Sequence, residues 1–277
     1  MRLFRRGRPL KRWRYVGVFS EELMACAAVI QVGPARQTFW ALYSRAEDRL
    51  RERARLLIGR GAVELVPGLP LGEDRHTEDR SGGSEPGRLR VRDGGVELDL
   101  RLAEDDGIQA LCPHGREEVW TRKQAGVSAR GTLALDGGAP QEIDALAVID
   151  DTAGYHARNT EWWWSAGVGH SPQGVALAWN LVAGVNDPPS GSERAVWVAG
   201  EPGEAPPVSF TAGLDRISCV DGSELHFNAE AERSRRENLL VIKSDYRAPF
   251  GTFSGTLPGG ITLAGGIGVI EHHRALW

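Results

Sequence analysis

The sequence predicts an all-β protein made of two antiparallel barrels or sandwiches in tandem. Short apolar segments are separated by Gly, Pro, Asp and Asn along most of the chain, and 35 glycines and 15 prolines are many for a helical protein. The even spacing of these segments over 277 residues suits two such β units. We place the division near residue 125, with an N-terminal domain over 1–125 and a C-terminal domain over 126–277.

The strand assignments rest on apolar runs and on the alternation of apolar and polar residues. Residues 96–102 alternate throughout, as in a strand with one buried and one solvated face. The tripeptide Asp-Gly-Gly at 93–95 and at 136–138 is typical of a hairpin turn. The segments expected to form strands are 13–20, 23–32, 37–43, 62–66, 88–92, 96–102, 108–111, 127–135, 143–149, 162–168, 175–182, 195–199, 214–220, 224–229, 239–246 and 251–257.

Two segments depart from this pattern. Residues 44–59 carry Ser44 as a potential N-cap and Glu47 three residues later. Apolar residues then follow at helical spacing before a terminal glycine, so the segment favours a helix. Residues 72–87 are polar and lack periodicity, which indicates a surface loop or lid. One helix among so many strands leaves the predicted fold class unchanged.

Cysteine usage and the N-terminus bear on the compartment. Cys26, Cys112 and Cys219 are odd in number and far apart, which favours buried thiols in a reducing cytoplasm over a disulfide framework. Seven of the first fourteen residues are basic, and we expect a solvated terminus there, with anionic lipid or RNA as the alternative contact. Because no apolar run is long enough for a transmembrane helix, we expect no stable membrane insertion.

Charge and motifs argue against several classes of function. A formal charge of −4 disfavours a nucleic-acid-binding domain with a net basic surface, so no nucleic-acid partner is expected. The P-loop, the GxGxxG fingerprint, the GxSxG nucleophile elbow and the HExxH motif are all absent. These absences argue against nucleotide-binding and serine-hydrolase functions. We therefore expect no cofactor.

Residues 150–165 hold the densest group of chemically active side chains. The candidates there are Asp151, Tyr155, His156, Glu161, Trp162 and Trp164. Strand alternation places Trp162 and Trp164 on one face and Glu161 on the other. A carboxyl group against an indole in a dry pocket has a raised pKa and can act as a general acid. The alternative is that the polar side chains satisfy a turn and the tryptophans fill the core.

The C-terminal strand, residues 268–277, is the second group. Glu271 and His273 point to one side of a strand and His272 to the other, so the adjacent histidines cannot chelate one metal ion together. We therefore expect no metal site. Glu271 and His273 in a barrel interior would form an acid–base couple, and a surface position near the terminus is the alternative.

Further candidates for ligand contacts are Arg247 and Asn180. Arg247 either neutralises a buried carboxylate or an anionic group of a ligand, or it forms a salt bridge at the rim. The nine tryptophans offer a large flat apolar surface. Such a surface either fills cores or lines a cavity for an apolar ligand.

Several motifs in order resemble a bacterial family catalogued as a domain of unknown function. They are KRWRYVGVF at 11–19, DDTAGYH at 150–156, TEWxWSxGxG at 160–169, PFGTFxG at 249–255 and GVIExHxxxW at 268–277. The resemblance spans nearly the whole chain. That family is in turn distantly similar to tandem lipocalin-like proteins, which include carotenoid hydratases and tocopherol cyclase.

The resemblance implies a fold and a kind of site. The fold is two lipocalin-like (calycin) β-barrels side by side, with a ligand cavity between or within them. In the lipocalin-like relatives, acidic and aromatic residues protonate or hold an unsaturated hydrocarbon. By resemblance, such roles fall here to Asp151, Tyr155, His156, Glu161, Trp162 and Trp164.

The leading functional hypothesis is a small-molecule protein with an apolar, tryptophan-lined cavity. It would bind or transform a lipid- or isoprenoid-like compound by cofactor-independent hydration, isomerisation or cyclisation. Glu161 or Asp151 would donate the proton. His156 and the Glu271–His273 pair would be its partners. The alternatives are a non-catalytic carrier of a hydrophobic ligand and a structural or interaction module whose tryptophans all fill the core.

Overall fold

The computed structural model describes residues 1–56, 62–68, 86–239 and 242–276. Over these ranges the chain forms strands, turns and loops and no helix, so the predicted all-β fold is confirmed. No helix able to cross a membrane is found in them. The strands are β1 (Phe4–Arg5), β2 (Arg8–Pro9), β3 (Lys11–Phe19), β4 (Leu23–Val32), β5 (Ala35–Ser44), β6 (Arg49–Leu56), β7 (Val63–Val66), β8 (Gly87–Asp93), β9 (Val96–Leu102), β10 (Ile108–His114), β11 (Glu117–Leu135), β12 (Gln141–Gly154), β13 (Asn159–His170), β14 (Ala176–Ala183), β15 (Ala195–Val198), β16 (Glu201–Glu204), β17 (Val208–Phe210), β18 (Arg216–Cys219), β19 (Glu224–Leu239), β20 (Ile242–Leu257) and β21 (Ile261–Leu276).

Two large antiparallel sheets contain almost all of these strands. The first has the order β6-β5-β4-β3-β12-β11-β9-β8-β7, with β10 paired to β11. The second has the order β16-β15-β14-β13-β21-β20-β19-β18-β17, while β1 and β2 pair separately. In each large sheet the first strand in the chain pairs with the last, β3 with β12 and β13 with β21. The two halves of the chain therefore share one topology.

Each large sheet curls around its own apolar core and forms a half-barrel. In the first sheet the edge strand β7 contacts β4 and β5 near the other edge, and in the second sheet β17 contacts β14. Leu89 and Leu100 are fully buried in the first core. Trp179 and Leu257 are fully buried in the second. The described chain is thus two curled sheets in tandem, as the sequence predicts.

The half-barrels pack against each other through the faces opposite their interiors. Met24 and Phe19 from the first sheet meet Phe250 and Val269 from the second in a third apolar core. All four side chains are at most 2% exposed. This inter-sheet contact removes water from one face of the strands that form it.

The position of a strand relative to the inter-sheet contact explains whether its apolar residues form a continuous run or alternate with polar residues. β4 lies at the contact, so Ala25 points into the first core while Cys26 points toward the second sheet. Both faces of β4 are buried, and its sequence is accordingly a continuous apolar run. β9 contributes to the first core only, so Leu98 is buried while its neighbour Glu97 is exposed. Alternation therefore marks the strands with one wet face.

The helix predicted over 44–59 is wrong for the part of the segment that the structure describes. Arg49–Leu56 forms β6, which pairs along its length with β5. Pairing with a neighbouring strand outweighs the local helical spacing, because propensity is weak compared with tertiary context. Residues 57–59 lie outside the described residues, as do 72–85 of the predicted loop or lid. Gly87 already belongs to β8.

Strand pairing passes from the first sheet to the second between Gly154 and Asn159. The domain boundary predicted near residue 125 falls within β11, and residues 126–154 contribute to the first sheet. The register of β11 against β12 shifts at Gly126, which is a bulge within the pairing rather than a change of sheet. A division into separately folding units at 125 stays a prediction.

We expect Gly167→Ala to destabilise the protein. A Cβ at Gly167 would lie 2.7 Å from the carbonyl oxygen of Ile267 and closer still to the ring of Trp179. Gly203 on exposed β16 is the control, since the nearest atom to an added Cβ is 3.9 Å away. Urea denaturation should show a loss of about 1–3 kcal/mol for Gly167→Ala. Similar values for both variants would contradict the close packing over Gly167.

Candidate functional site

A group of polar and aromatic side chains lies at the contact between the half-barrels. β3 and β4 of the first sheet supply some of them, and β13, β19, β20 and β21 of the second supply the rest. The members of this inter-sheet cluster are Tyr15, Cys26, Trp162, Arg233, Tyr246, Glu271 and His273. Neither half-barrel contains the cluster by itself.

Glu271 is the acid of the inter-sheet cluster, and its side chain is 20% exposed. The indole Nε1 of Trp162 donates a hydrogen bond to Glu271 Oε1 at 3.0 Å. Burial raises the pKa of Glu271 to about 7, although this hydrogen bond and the charge of Arg233 act in the opposite direction. Near neutral pH the carboxyl group is therefore partly protonated, as a general acid must be.

His273 lies beside Glu271 and Trp162. Its Nδ1 is 3.8 Å from Glu271 Oε1, and its ring centre is 4.2 Å from that of Trp162. Its Nε2 is 2.8 Å from Ser244 Oγ. Burial lowers the pKa of His273 to about 3, so the imidazole is neutral at physiological pH. A neutral imidazole donates through one ring nitrogen and accepts through the other.

Arg233 connects the two sheets within the cluster. Its Nε donates to Glu52 Oε2 of the first sheet at 2.9 Å, and its Nη2 donates to Tyr246 Oη at 2.9 Å. The guanidinium carbon also lies 4.3 Å from the centre of the Phe39 ring, a cation–π contact. Because Arg233 is only 3% exposed, its positive charge acts on the cluster with little screening by water.

Trp164 adjoins the cluster, and both it and Trp162 face the inter-sheet contact. The ring of Trp164 meets Tyr15 edge-on at 5.3 Å. Its Nε1 donates to Asn180 Oδ1 at 2.8 Å, and Asn180 Nδ2 donates to the backbone carbonyl of Glu193 at 2.7 Å. Asn180 thus holds Trp164 in place. Asn180, a predicted ligand contact, therefore supports Trp164 by a hydrogen bond.

A cleft of about 240 Å³ opens beside the cluster. The residues around it are Asn159, Arg236, Lys243, Ser244, Asp245, Arg274, Ala275 and Leu276. Ser244 borders the cleft and also contacts His273, so it joins the cleft to the cluster. Trp162 and Trp164 pack in the inter-sheet contact and do not border this cleft, which therefore differs from the tryptophan-lined cavity that we expected.

Glu161, one of the two predicted proton donors, lies on the face of β13 opposite to Trp162 and Trp164, away from the inter-sheet contact. Arg274 Nε donates to Glu161 Oε1 at 2.6 Å, and His272 Nε2 is 2.9 Å from the same oxygen. These two partners lower the pKa of Glu161, and its side chain is 37% exposed. An ionised, solvated carboxylate is a poor acid near neutral pH. The raised pKa that we expected for a carboxyl group beside an indole is found at Glu271 and not at Glu161.

Asp151, the other predicted proton donor, lies on the first-core face of β12, two residues beyond Ile149. Arg14 Nη1 donates to it at 2.7 Å and Arg122 Nη2 at 2.8 Å. Both guanidinium groups also pair with Glu104. All four side chains are at most 6% exposed. This arrangement makes Asp151 the centre of a buried ion network.

His156 and Tyr155 lie in the short link between the sheets. The ring of His156 is 3% exposed and lies 5.0 Å from the ring centres of both Trp13 and His114. Burial lowers the pKa of His156 well below its ordinary value. The hydroxyl of Tyr155 donates to the backbone carbonyl of Arg2 at 2.7 Å. Both residues thereby fasten the link to the N-terminal part of the chain.

Arg247, a predicted ligand contact, lies on the outer surface of β20. Its Nη2 donates to Glu232 Oε2 at 2.7 Å, and its side chain is 46% exposed. The structure therefore places Arg247 in the rim salt bridge that the sequence left as its alternative role. Such exposed pairs contribute little to stability.

A second buried charge group lies next to the inter-sheet contact. Lys123 Nζ is 2.6 Å from Asp150 Oδ1 and 3.3 Å from Glu193 Oε1. Burial lowers the pKa of Lys123, but the two carboxylates outweigh this effect and raise it. Within the ranges that the structure describes, no three His, Cys, Asp or Glu side chains converge on a metal position.

The sequence analysis missed five residues of the site, namely Tyr15, Cys26, Arg233, Ser244 and Tyr246. Tyr15 lies within the motif KRWRYVGVF, and Tyr246 directly precedes Arg247, which we selected as a candidate ligand contact. The sequence around both tyrosines could therefore have identified them. Arg233 occurs in the charged run 230–237, which is typical of a solvated strand. Nothing in the local sequence distinguishes Ser244 from other strand serines.

These observations define a tandem half-barrel protein with an acid–base cluster between its halves. The chain belongs to the family described as Domain of unknown function (DUF2804), whose model matches residues 2–277. This confirms the resemblance carried by the sequence motifs. No curated protein sequence matches the chain significantly.

Solved structures with the same fold span almost the whole chain. A putative AttH from Nitrosomonas europaea superimposes with a TM-score of 0.57 at 13% identity, covering 95% of this chain and 91% of its own. Kievitone hydratase from Nectria haematococca gives 0.53 at 10% identity, and CghA gives 0.51 at 7%; each comparison covers 96% of this chain and 88% of the other. The lipocalin-like fold is therefore confirmed, and at these identities only the fold is shared.

We expect Asp151→Asn to be strongly destabilising. The change leaves the buried guanidinium groups of Arg14 and Arg122 without a full counter-charge, which typically costs about 3–5 kcal/mol. Asp144→Asn is the control, because Asp144 pairs with Arg130 where both side chains are 72% exposed. Chemical denaturation should show a change below about 1 kcal/mol for that control. A loss of under about 1 kcal/mol in Asp151→Asn would refute the structural role.

Glu271→Gln should remove a pH-dependent loss of stability. The pKa of Glu271 is about 7 when folded against an ordinary value of 4.5, so the folded state holds the proton more tightly. The wild type therefore loses stability from this group as pH rises from 4.5 to 7. Over this range the unfolding free energy of the variant should rise relative to wild type by up to about 3 kcal/mol.

The unfolding free energy of the variant must be compared with that of the wild type at each pH, because the contribution of His273 changes with pH in the opposite direction to that of Glu271. Its pKa falls from 6.5 to about 3 on folding, so it adds stability as pH rises through that range. Glu161→Gln is the matched control, since the pKa of Glu161 is lowered from 4.5: its difference curve has the opposite sign below pH 4.5 and is nearly flat between pH 4.5 and 7. A flat difference curve for Glu271→Gln would mean that Glu271 is solvated.

Proposed function

We propose that the protein binds a small unsaturated, lipid- or isoprenoid-like molecule at the inter-sheet cluster and transforms it without a cofactor. The observation that carries the proposal is a largely buried carboxyl group, Glu271, held against the indole of Trp162 with a pKa of about 7. Such a group is protonated often enough at neutral pH to act as an acid. Its remaining 20% exposure leaves it within reach of a ligand.

The side chains around Glu271 suit a substrate that becomes positively charged. Trp162 and Tyr246 present aromatic rings to the same region, with ring centres 4.2 Å and 5.6 Å from that of His273. Aromatic faces attract cations, and this attraction strengthens where water is excluded. The neutral imidazole of His273 lies close enough to accept a proton that the intermediate later loses.

The proposed reaction begins with transfer of the Glu271 proton to one carbon of a carbon–carbon double bond, which leaves a carbocation and the Glu271 carboxylate. The cation then has three fates. Loss of a neighbouring proton gives an isomer, and addition of water with loss of a proton gives an alcohol. Attack by a second double bond closes a ring and leaves a second cation, which becomes neutral by losing a proton. In each case the released proton restores Glu271, so no external reagent other than water is consumed.

The names of the structural relatives support the same class of chemistry. One of them is a hydratase, and CghA was also crystallised with the small molecule Sch210972. Both span nearly the whole of this chain in the alignment. Their low identities transfer no substrate, so the proposal for this chain rests on the geometry around Glu271.

We expect wild-type protein to incorporate deuterium from D2O into an unsaturated substrate, and Glu271→Gln to lose this activity by at least about 100-fold. The assay follows mass gain in geraniol, linalool, farnesol and squalene by mass spectrometry. Glu161→Gln is the matched control, because it removes an equivalent carboxylate on the other face of the sheet. Its rate should stay within about threefold of wild type.

Mass spectrometry of an organic extract of the purified protein separates the remaining functions. A tightly retained apolar compound without deuterium exchange would establish a carrier in place of an enzyme. Absence of both exchange and retained compound would contradict the proposed function. Equal losses in Glu271→Gln and Glu161→Gln would remove Glu271 from the catalytic role.

A further inference from the structure

Ser244, His273 and Glu271 lie in a row that leads from the cleft into the inter-sheet cluster. Ser244 borders the 240 Å³ cleft, and its Oγ is 2.8 Å from His273 Nε2. The other ring nitrogen, Nδ1, is 3.8 Å from Glu271 Oε1. The hydroxyl and the carboxyl group therefore occupy opposite sides of one imidazole.

This is the arrangement of a nucleophile, a base and an orienting acid. We propose that Ser244, His273 and Glu271 form a catalytic triad that hydrolyses small carboxylic esters bound in the cleft. The activity is separate from the proposed alkene chemistry and goes beyond it. The chain lacks the GxSxG elbow; here the serine lies near the start of β20, which pairs with both β19 and β21, and it contacts its base across the pairing with β21.

The strands supply the geometry directly. β20 and β21 are antiparallel neighbours, with Tyr246 opposite His273 and Ser244 opposite Ala275. Ser244 and His273 are thus diagonal neighbours, within reach of each other on one face. Glu271 stands two residues before His273 on β21 and points to the same side. The 3.8 Å gap between Glu271 and His273 shortens when the ring becomes charged, since such contacts commonly tighten in the reacting complex.

The reaction balances with water as the only co-substrate. Ser244 Oγ attacks the ester carbonyl carbon while its proton passes to His273 Nε2. The alcohol then leaves with that proton, and the acyl group remains bonded to Ser244. Water attacks the acyl group, giving up a proton to Nε2, and the carboxylic acid leaves as Ser244 recovers its proton. Glu271, as a carboxylate, offsets the charge of the imidazolium in both steps.

The cleft suits the negative charge that develops on the carbonyl oxygen. Three cationic side chains, Arg236, Lys243 and Arg274, border it together with one carboxylate, Asp245. Asp245 is engaged by Arg236 at 2.7 Å and Arg274 is engaged by Glu161 at 2.6 Å, so the positive charge at the border of the cleft rests mainly on Lys243. Positive groups near a developing oxyanion lower the barrier to acyl transfer.

The two activities need opposite states of Glu271. Ester hydrolysis requires the carboxylate, so its rate should rise with pH near neutrality, whereas proton donation to an alkene should fall. The charged and titratable groups that face Glu271 are Tyr15, Lys123, Asp150, Arg233, Tyr246 and His273. Among these, Arg233 and Lys123 favour the carboxylate and Asp150 opposes it.

The test uses the full chain, p-nitrophenyl acetate and a fluorophosphonate probe. Wild-type protein should take up one equivalent of the probe on Ser244, located by peptide mass spectrometry. Ser244→Ala and His273→Gln should lower kcat/KM for the ester by at least about 100-fold. Ser218→Ala is the matched control, because Ser218 is a half-buried strand serine of the same sheet that bonds Glu224 instead of a histidine. Its kcat/KM should stay within about twofold.

Each outcome decides the proposal. Unchanged ester hydrolysis in Ser244→Ala, or probe bound at another residue, would overturn it. Deuterium exchange into the isoprenoid panel should persist in Ser218→Ala, whose side chain lies in neither the cleft nor the inter-sheet cluster. Loss of ester hydrolysis in both Ser244→Ala and His273→Gln supports the triad, while loss of exchange with unchanged ester hydrolysis in Glu271→Gln would remove Glu271 from it. Circular dichroism of every variant excludes unfolding as the cause of a loss.

Discussion

Met24, Phe250 and Val269 pack between the half-barrels and remove water from their facing surfaces. The chemistry of the site depends on this contact. Where the two sheets meet, Glu271 keeps its proton to about pH 7 and His273 stays neutral, because neither charged form is well solvated. In a single half-barrel this face would be wet and both groups would titrate near their ordinary values. The acid–base properties therefore belong to the pair of half-barrels.

The protonation state of Glu271 links the two proposed activities. A protonated Glu271 can donate to a double bond, and an ionised Glu271 can support an imidazolium beside Ser244. Both reactions start from a neutral His273, which burial provides. Arg233 joins the two sheets and lowers the pKa of Glu271, so its position also adjusts the balance between the two states. The packing of the two half-barrels thus sets the pKa of one carboxyl group, and the protonation state of that group selects between the two proposed reactions.

Much of the fold followed from local pattern. The alternation in Val96–Leu102 identified a strand with one wet face, and the apolar run in Leu23–Val32 identified a strand, whose two faces the structure shows to be buried. The pattern failed for Arg49–Leu56, where helical spacing competes with pairing to β5. The division of the chain near 125 stays a prediction; strand pairing passes from one sheet to the other at 154–159, since β11 and β12 both belong to the first sheet. The pairing of β12 with β3, which are distant in sequence, leaves no local trace.

The sequence by itself determined that Glu271 and His273 share one face of a strand, and that Trp162 and Glu161 lie on opposite faces, since strand geometry is local. Only the tertiary structure decided which carboxyl group is dry. The face that carries Glu271 meets the other half-barrel, while Glu161 reaches solvent beside Arg274. Burial depends on what packs against a face from distant parts of the chain, and no periodicity encodes that.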